Sequence, residues 1–276
     1  MIHPTAIVDS QARIDASTHI GPYAVIEGAV TIGPDCVISS HAKLIGPLVM
    51  GRNNKIHSFA SLGDAPQDLK HKGQPSDLHI GDDNIFRESV TVHRGTNGRT
   101  VIGSKNFLMV ASHVGHNCVL GDNITLVNNA TLGGHVVVQD RAIIGAHCAI
   151  HQFCRVGKLA MVSNASSHNV DIPPFVIAML INCVAQLNAV GLRRSGMPRS
   201  SINAVRRMFQ IIYRDGGRIP MAQAIRTLPP EIACDPEVAA FVQFVGESKR
   251  GVARYHPWSL RHAARTAENE DEAAAG

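Results

Sequence analysis

Aromatic side chains are scarce: Phe, Trp and Tyr make up 4% of the 276 residues, against 45% hydrophobic residues in all. The core must therefore be built from aliphatics rather than rings. Cys36, Cys118, Cys148, Cys154, Cys183 and Cys234 form no CxxC pair, which argues against a zinc knuckle or a thioredoxin-like motif. No hydrophobic run approaches the roughly 18 residues of a membrane-spanning helix. Met1–Ser10 lacks the basic and then apolar regions of a secretory signal. These absences predict a cytoplasmic protein with reduced thiols. Net charge is also missing from most of the chain. Residues 1–189 carry 13 basic and 13 acidic side chains, residues 190–265 carry 13 against 5, and residues 266–276 carry four acids and no Lys or Arg. The basic segment suits an acidic partner. It has too few aromatics to favour nucleic acid, whose bases call for stacking rings.

What is present is a repeat. Every sixth residue from Ile2 to Leu62 is aliphatic, eleven in succession, and so is every sixth residue from Ile102 to Val162. At this hydrophobic content each run has chance odds of about 10⁻⁴. Ile80, Phe86 and Val92 form a shorter series between them. A period of six fits a short strand and a corner, repeated. Gly follows the aliphatic at Gly21, Gly33, Gly103, Gly121 and Gly133 among others, and Asn84, Asn106 and Asn123 recur beyond it. Gly and Asn both suit tight corners, Asn because it tolerates positive φ. Three hexads make a triangular coil of 18 residues, and coils stack as parallel strands about 4.8 Å apart. The prediction is an all-β left-handed parallel β-helix over residues 1–189. Cys36, Cys118, Cys148 and Cys154 fall two residues before a hexad aliphatic, where a small side chain packs inside the prism.

The period breaks over residues 63–79 and 94–99, which read as loops leaving the prism. After Val162 it fades. Asp171–Phe175 reads as a rigid extended passage because of its Pro pair. Residues 190–265 then read as a smaller C-terminal α-helical domain. One helix spans Pro198–Asp215, with Gly216-Gly217 ending it. A second spans Met221–Leu228. A third is capped by Asp235, has Pro236 at its first position, and runs to about Lys249. Residues 266–276 read as a disordered tail.

Counting hexads puts Val92, Val114, Leu132 and Ile150 on one face of successive coils. Beside them stand His93, His113, His116, His135 and His151, five of the chain's fifteen histidines. Gly134 lies 18 residues after His116, one coil above it. A general base beside a free N–H is what acyl transfer needs, and a histidine's ordinary pKa of about 6.5 suits a base near neutral pH. His113-x-x-His116 is also compatible with a metal pair, but no clear third ligand accompanies it.

Five segments carry a family resemblance. They are Asp64–Lys70, Arg87–Thr96, Ser112–Cys118, Asn128–His135 and Ile150–Cys154. Together with Gly191–Arg194 they resemble the bacterial UDP-N-acetylglucosamine O-acyltransferases of lipid A synthesis, over roughly residues 2–250. The resemblance implies His116 as general base, Asn117 as its neighbour and Gly134 N–H as oxyanion donor. It implies Gln67, Asp68, Lys70, His93, His113, His135, His151 and Gln152 as substrate contacts, and Arg194 near phosphate or carrier protein. Asn164 would limit acyl length. It further implies a 3-hydroxyacyl donor on acyl carrier protein, a UDP-amino sugar acceptor and a homotrimer. No metal or cofactor is called for, since a thioester is already activated.

The sequence departs from the family pattern at Asn117, which replaces Asp, and at Ser195, which replaces Arg. Met179–Cys183 replaces a polar Gly-Asn-type segment, and Asn164 stands where a small residue is usual. N-acylation of a 3-amino sugar analogue, a non-catalytic paralogue and a metal-binding hexapeptide protein are the alternatives to O-acylation.

Overall fold

The computed structural model describes residues 1–215 and 220–255. Three sheets of short strands, parallel within the coils, form a prism whose chain visits each face in turn. The first face has nine strands, from Ile7–Val8 to Ser167–His168. The second has eight, from Arg13–Ile14 to Arg155–Val156. The third has eleven and ends in strands Val176–Met179, Cys183–Leu187 and Arg254–Tyr255. Hexad aliphatics pair with hexad aliphatics, as in Val92 with Val114, Leu132 and Ile150 up the first face. Almost all are fully buried, and Cys36, Cys118, Cys148 and Cys154 lie inside with them.

The corners explain the period. A residue with φ near +60° recurs every six positions, including Asn117 (φ 59°), Asn123 (57°), Asn129 (59°) and His135 (61°). Asn84 and Asn106 do not share that role. They sit one position further on, point inward and, with Asn54, form a buried ladder. The Asn54 amide oxygen accepts from Asn84 N–H and Nδ2, that of Asn84 accepts from Asn106 N–H, and that of Asn106 accepts from Ile124 N–H. Their side chains thus satisfy backbone groups that would otherwise be buried unpaired.

Strands persist further into the excursions than the broken period suggests. Ser61–Asp64 and Ser76–Ile80 bound the first loop, and Thr91–His93 and Gly98–Ile102 the second. Both loops leave the corner between the first and second faces, on successive coils. Residues 115–118 form that same corner one coil on.

The repeat also outlasts Val162. Ser167–His168 adds a further strand, and His168 occupies an inward hexad position paired with Ile150. Its ring is fully buried, neither nitrogen has a hydrogen-bond partner, and burial pushes its pKa down to about 4. The fold therefore favours the neutral ring. Its contribution to stability is complete above the ordinary value of 6.5 and is lost as pH falls from there towards 4. The gap corresponds to about 3 kcal/mol per chain. In His168→Leu, urea midpoints measured from pH 7 to pH 4 should fall less than in the wild type. Parallel curves would show that this ring does not titrate on unfolding.

The hairpin Val176–Met179/Cys183–Leu187 pairs antiparallel and closes the end of the prism; the sequence reading did not anticipate it. Nor did it anticipate helices α1 (Ala189–Arg194) and α4 (Pro230–Ala233). The Pro198–Asp215 helix is α2 (Arg199–Phe209), followed by a π turn over Gln210–Asp215. Its expected apolar face, including Ile202, Val205, Met208 and Ile212, is buried. The second helix is α3 (Met221–Arg226). The third, α5 (Pro236–Gly246), is capped by Asp235 but stops short of Lys249. The Gly216-Gly217 stop and the 266–276 tail lie outside the described residues. Arg155 ties the helical part to the prism. It pairs with buried Asp171 (2.9 Å), donates to the Phe244 carbonyl (2.6 Å) and covers the Phe244 ring.

Candidate active site

A cleft of about 480 Å³ lies where the first face meets the loop-bearing corner. Its floor is the outward side of the first face. Thr131, Ala149 and Ser167 each precede an inward residue, and their small side chains leave room above the sheet. Gln67, His93, His113, His116, Gly134, His151 and Gln152 line it. The corner histidines therefore converge, together with one loop residue. Thr131, Ala149 and Ser167 were missed by motif reading, although their place in the hexad shows which way they face.

His116 is the centre of this arrangement. Its Nδ1 lies 3.0 Å from Asn117 Oδ1 and 3.1 Å from Thr96 Oγ1. Three other bonds settle which nitrogen carries the proton. Asn117 Nδ2 donates to the Asn97 carbonyl, and Asn117 Oδ1 accepts from Thr96 N–H, so it is the amide oxygen that faces the ring. The Thr96 hydroxyl donates to Asp68 Oδ2 at 3.0 Å. Both neighbours of Nδ1 can then only accept. Nδ1 bears the hydrogen and Nε2 is left with a free lone pair.

Gly134 presses against this ring. A Cβ built there would lie 2.5 Å from His116 Nε2 and Cε1, so glycine is required by close approach. The neighbouring coil is registered by a bond from His135 N–H to the His116 carbonyl. Gly134 N–H itself has no hydrogen-bond partner among the described residues.

His93, His113 and His135 are biased towards the neutral form. Burial, then proximity to the His93 and His116 rings, with which it would share charge if protonated, pushes His113 down to about 4. Burial also lowers His93, with His116 adding to the effect, and burial followed by His116 lowers His135. His113 is oriented by Thr91 Oγ1 at 2.8 Å. The His135 ring meets His116 edge-on at 5.2 Å and stacks on half-exposed Phe153 at 4.6 Å. Asp68 is held below its ordinary value chiefly by the Lys70 N–H, then by the Thr96 hydroxyl and His116. Asp68 thus stands beside His116 from the first loop, with Lys70 two residues further on.

Asn164 and Arg194 do not join this cluster within one chain. Asn164 follows the third face, at the corner that also carries His147, and its side chain accepts from Ala146 N–H. Arg194 ends α1. Among the described residues no three His, Cys, Asp or Glu side chains form a group that could hold a metal ion.

Residues 171–253 match the family described as Udp N-acetylglucosamine O-acyltransferase, Domain 2, and residues 11–46 match the bacterial transferase hexapeptide (six repeats). The chain is 41% identical over 257 residues to the acyl-acyl-carrier-protein–UDP-N-acetylglucosamine O-acyltransferase of Halorhodospira halophila, covering 92% of this chain and 99% of that one. It is similar to the structure of Francisella novicida UDP-N-acetylglucosamine acyltransferase, with 36% identity, a TM-score of 0.87, and coverage of 94% of this chain and 96% of that one. The Campylobacter jejuni UDP-N-acetylglucosamine acyltransferase superposes with a TM-score of 0.86 at 32% identity, covering 93% of this chain and 100% of that one.

Proposed function

The chain belongs to the acyl-carrier-protein-dependent UDP-N-acetylglucosamine O-acyltransferase family, and we propose that His116 is the base with which it acylates its sugar. It is an acyltransferase that takes its acyl group from acyl carrier protein and forms an ester on UDP-N-acetylglucosamine. The 3-amino acceptor, the metal-binding protein and the inactive paralogue are not favoured. In the proposed reaction His116 Nε2 takes the proton of the sugar 3-hydroxyl as that oxygen attacks the thioester carbonyl of a 3-hydroxyacyl donor. The resulting oxyanion accepts from Gly134 N–H. Collapse breaks the C–S bond, and the leaving thiolate recovers the proton from Nε2. The observation that carries this reading is the free Nε2 beside an N–H that has no partner among the described residues, in one cleft.

Neutral His93, His113 and His135, with Gln67, Lys70, His151 and Gln152, supply hydrogen bonds to the acceptor. Among the described residues no helix is long and apolar enough to cross a membrane; the proposed place of work is the cytoplasm. The cleft is open on one side. A homotrimer would close it with a neighbouring prism and bring Asn164 and Arg194 of another copy towards it, Asn164 then limiting acyl length. Light scattering combined with activity tests the assembly: a stable monomer with full activity would sink it.

The surplus charge of residues 190–265 gives the acidic carrier protein a docking surface. Exposed charges are screened beyond about 8 Å at physiological ionic strength, so KM for the acyl carrier protein should rise with salt. A KM flat from low to high salt would place docking elsewhere.

A further inference from the structure

A general base must bear a positive charge midway through the reaction, and its neighbours decide how well. Asn117 orients the His116 ring, but its amide is neutral and gives the imidazolium no counter-charge. The only carboxylate within 4.0 Å of the ring, among the described residues, comes from a different part of the chain. Asp68 Oδ2 stands 4.0 Å from Nε2 and is hydrogen-bonded to the same Thr96 hydroxyl that accepts from Nδ1. We propose that Thr96 is a positioning residue which couples the Asp68 carboxylate to His116, supplying the negative charge that Asn117 lacks. The proposal rests on His116 being the base.

The geometry carries this in three ways. First, Thr96 joins both excursions to the corner: its N–H holds Asn117, its hydroxyl holds Asp68, and its carbonyl meets the His71 ring at 3.0 Å. Second, the hydroxyl has one hydrogen, which it gives to Asp68. Each bond in the chain from Nδ1–H to Thr96 to Asp68 therefore runs towards the carboxylate, and charge building on the ring strengthens both. Third, the remaining ionisable groups around the ring offer no substitute. His93, His113 and His135 carry no negative charge in either protonation state, and Lys70 is a cation. A hydroxyl contributed by a loop thus completes what a carboxylate next to the histidine would otherwise do directly.

The test is a double-mutant cycle. Thr96→Val removes the hydroxyl but keeps the backbone N–H that orients Asn117. We expect kcat to fall about 10- to 100-fold, the worth of a hydrogen bond to an ionised group. KM for the sugar should change little. The acid limb of the kcat/KM profile should move to lower pH, because a ring deprived of counter-charge loses its proton more readily. Thr96→Ser, which keeps the hydroxyl, should lose much less. Asn117→Asp places a carboxylate directly on Nδ1, so in the Thr96→Val background it should restore most of kcat and return the acid limb towards its original position. Thr96→Val at the wild-type rate would overturn the proposal. So would a loss of kcat with an unmoved acid limb that Asn117→Asp does not restore, since Thr96 would then serve only to anchor its loop. Wild-type activity in His116→Ala would instead remove the base on which the proposal rests, and that result is read separately.

Discussion

His116→Ala should lower kcat by about 10²- to 10⁴-fold, the usual contribution of a positioned general base, while the protein remains folded. The ring is not part of the prism core. It stands on the corner, and what it loses on truncation are contacts to Asn117, Thr96 and Gly134 rather than packing inside the coils. Circular dichroism and the thermal midpoint should therefore stay close to wild type. His147→Ala is the matched control, because His147 is also a corner histidine (φ 56°) but follows the third face, away from the cleft. An equal loss in His147→Ala, with His116→Ala near wild type, would refute the assignment of the site.

Gly134→Ala should be almost as damaging, and for a geometric reason. The added methyl would sit 2.5 Å from His116 Nε2 and Cε1, closer than any real contact. The backbone on either side is fixed by the coil. Gly133 N–H donates to the Ile150 carbonyl, and His135 N–H donates to that of His116. The imidazole must therefore swing away, and Nε2 leaves both the sugar hydroxyl and the oxyanion donor. A misplacement of about 1 Å costs on the order of 10²-fold in rate, so kcat should drop by at least that much with little effect on the sugar KM. Gly133→Ala is not an equivalent control, since its Cβ would meet Gln152 backbone nitrogen at 2.8 Å and disturb the coil itself. A Gly134→Ala protein with the wild-type kcat would show that His116 does not work from the position seen here.

The prism could be read from the sequence because each inward position is decided alone: one aliphatic every six residues, one turn between. The same count put His116 and Gly134 on adjacent coils without any structure. It failed where a polar side chain does an aliphatic's task. His168 fills an inward position where the aliphatic period ends, and Asn84 and Asn106 resemble turn residues in sequence but are buried ladder rungs. The hairpin ending in Cys183–Leu187 was missed because its run of apolar residues has neither a period of six nor a helical period. The Asp68–Thr96–His116 linkage was out of reach for another reason. Thr96 and Asp68 sit on two insertions of different length, and only their folded paths show that the hydroxyl stands between the carboxylate and the ring.

Mass spectrometry of the product bears most directly on the central claim. Wild-type protein incubated with 3-hydroxyacyl carrier protein and UDP-N-acetylglucosamine should release one acylated nucleotide sugar per thioester consumed. Its acyl group should sit on the sugar 3-oxygen and come off as free acid in mild base, as an ester does. The His116→Ala protein should form that product at least about 10²-fold more slowly. Thioester consumption without an acylated sugar would contradict the account, and so would a product whose acyl group resists mild base because it is held as an amide.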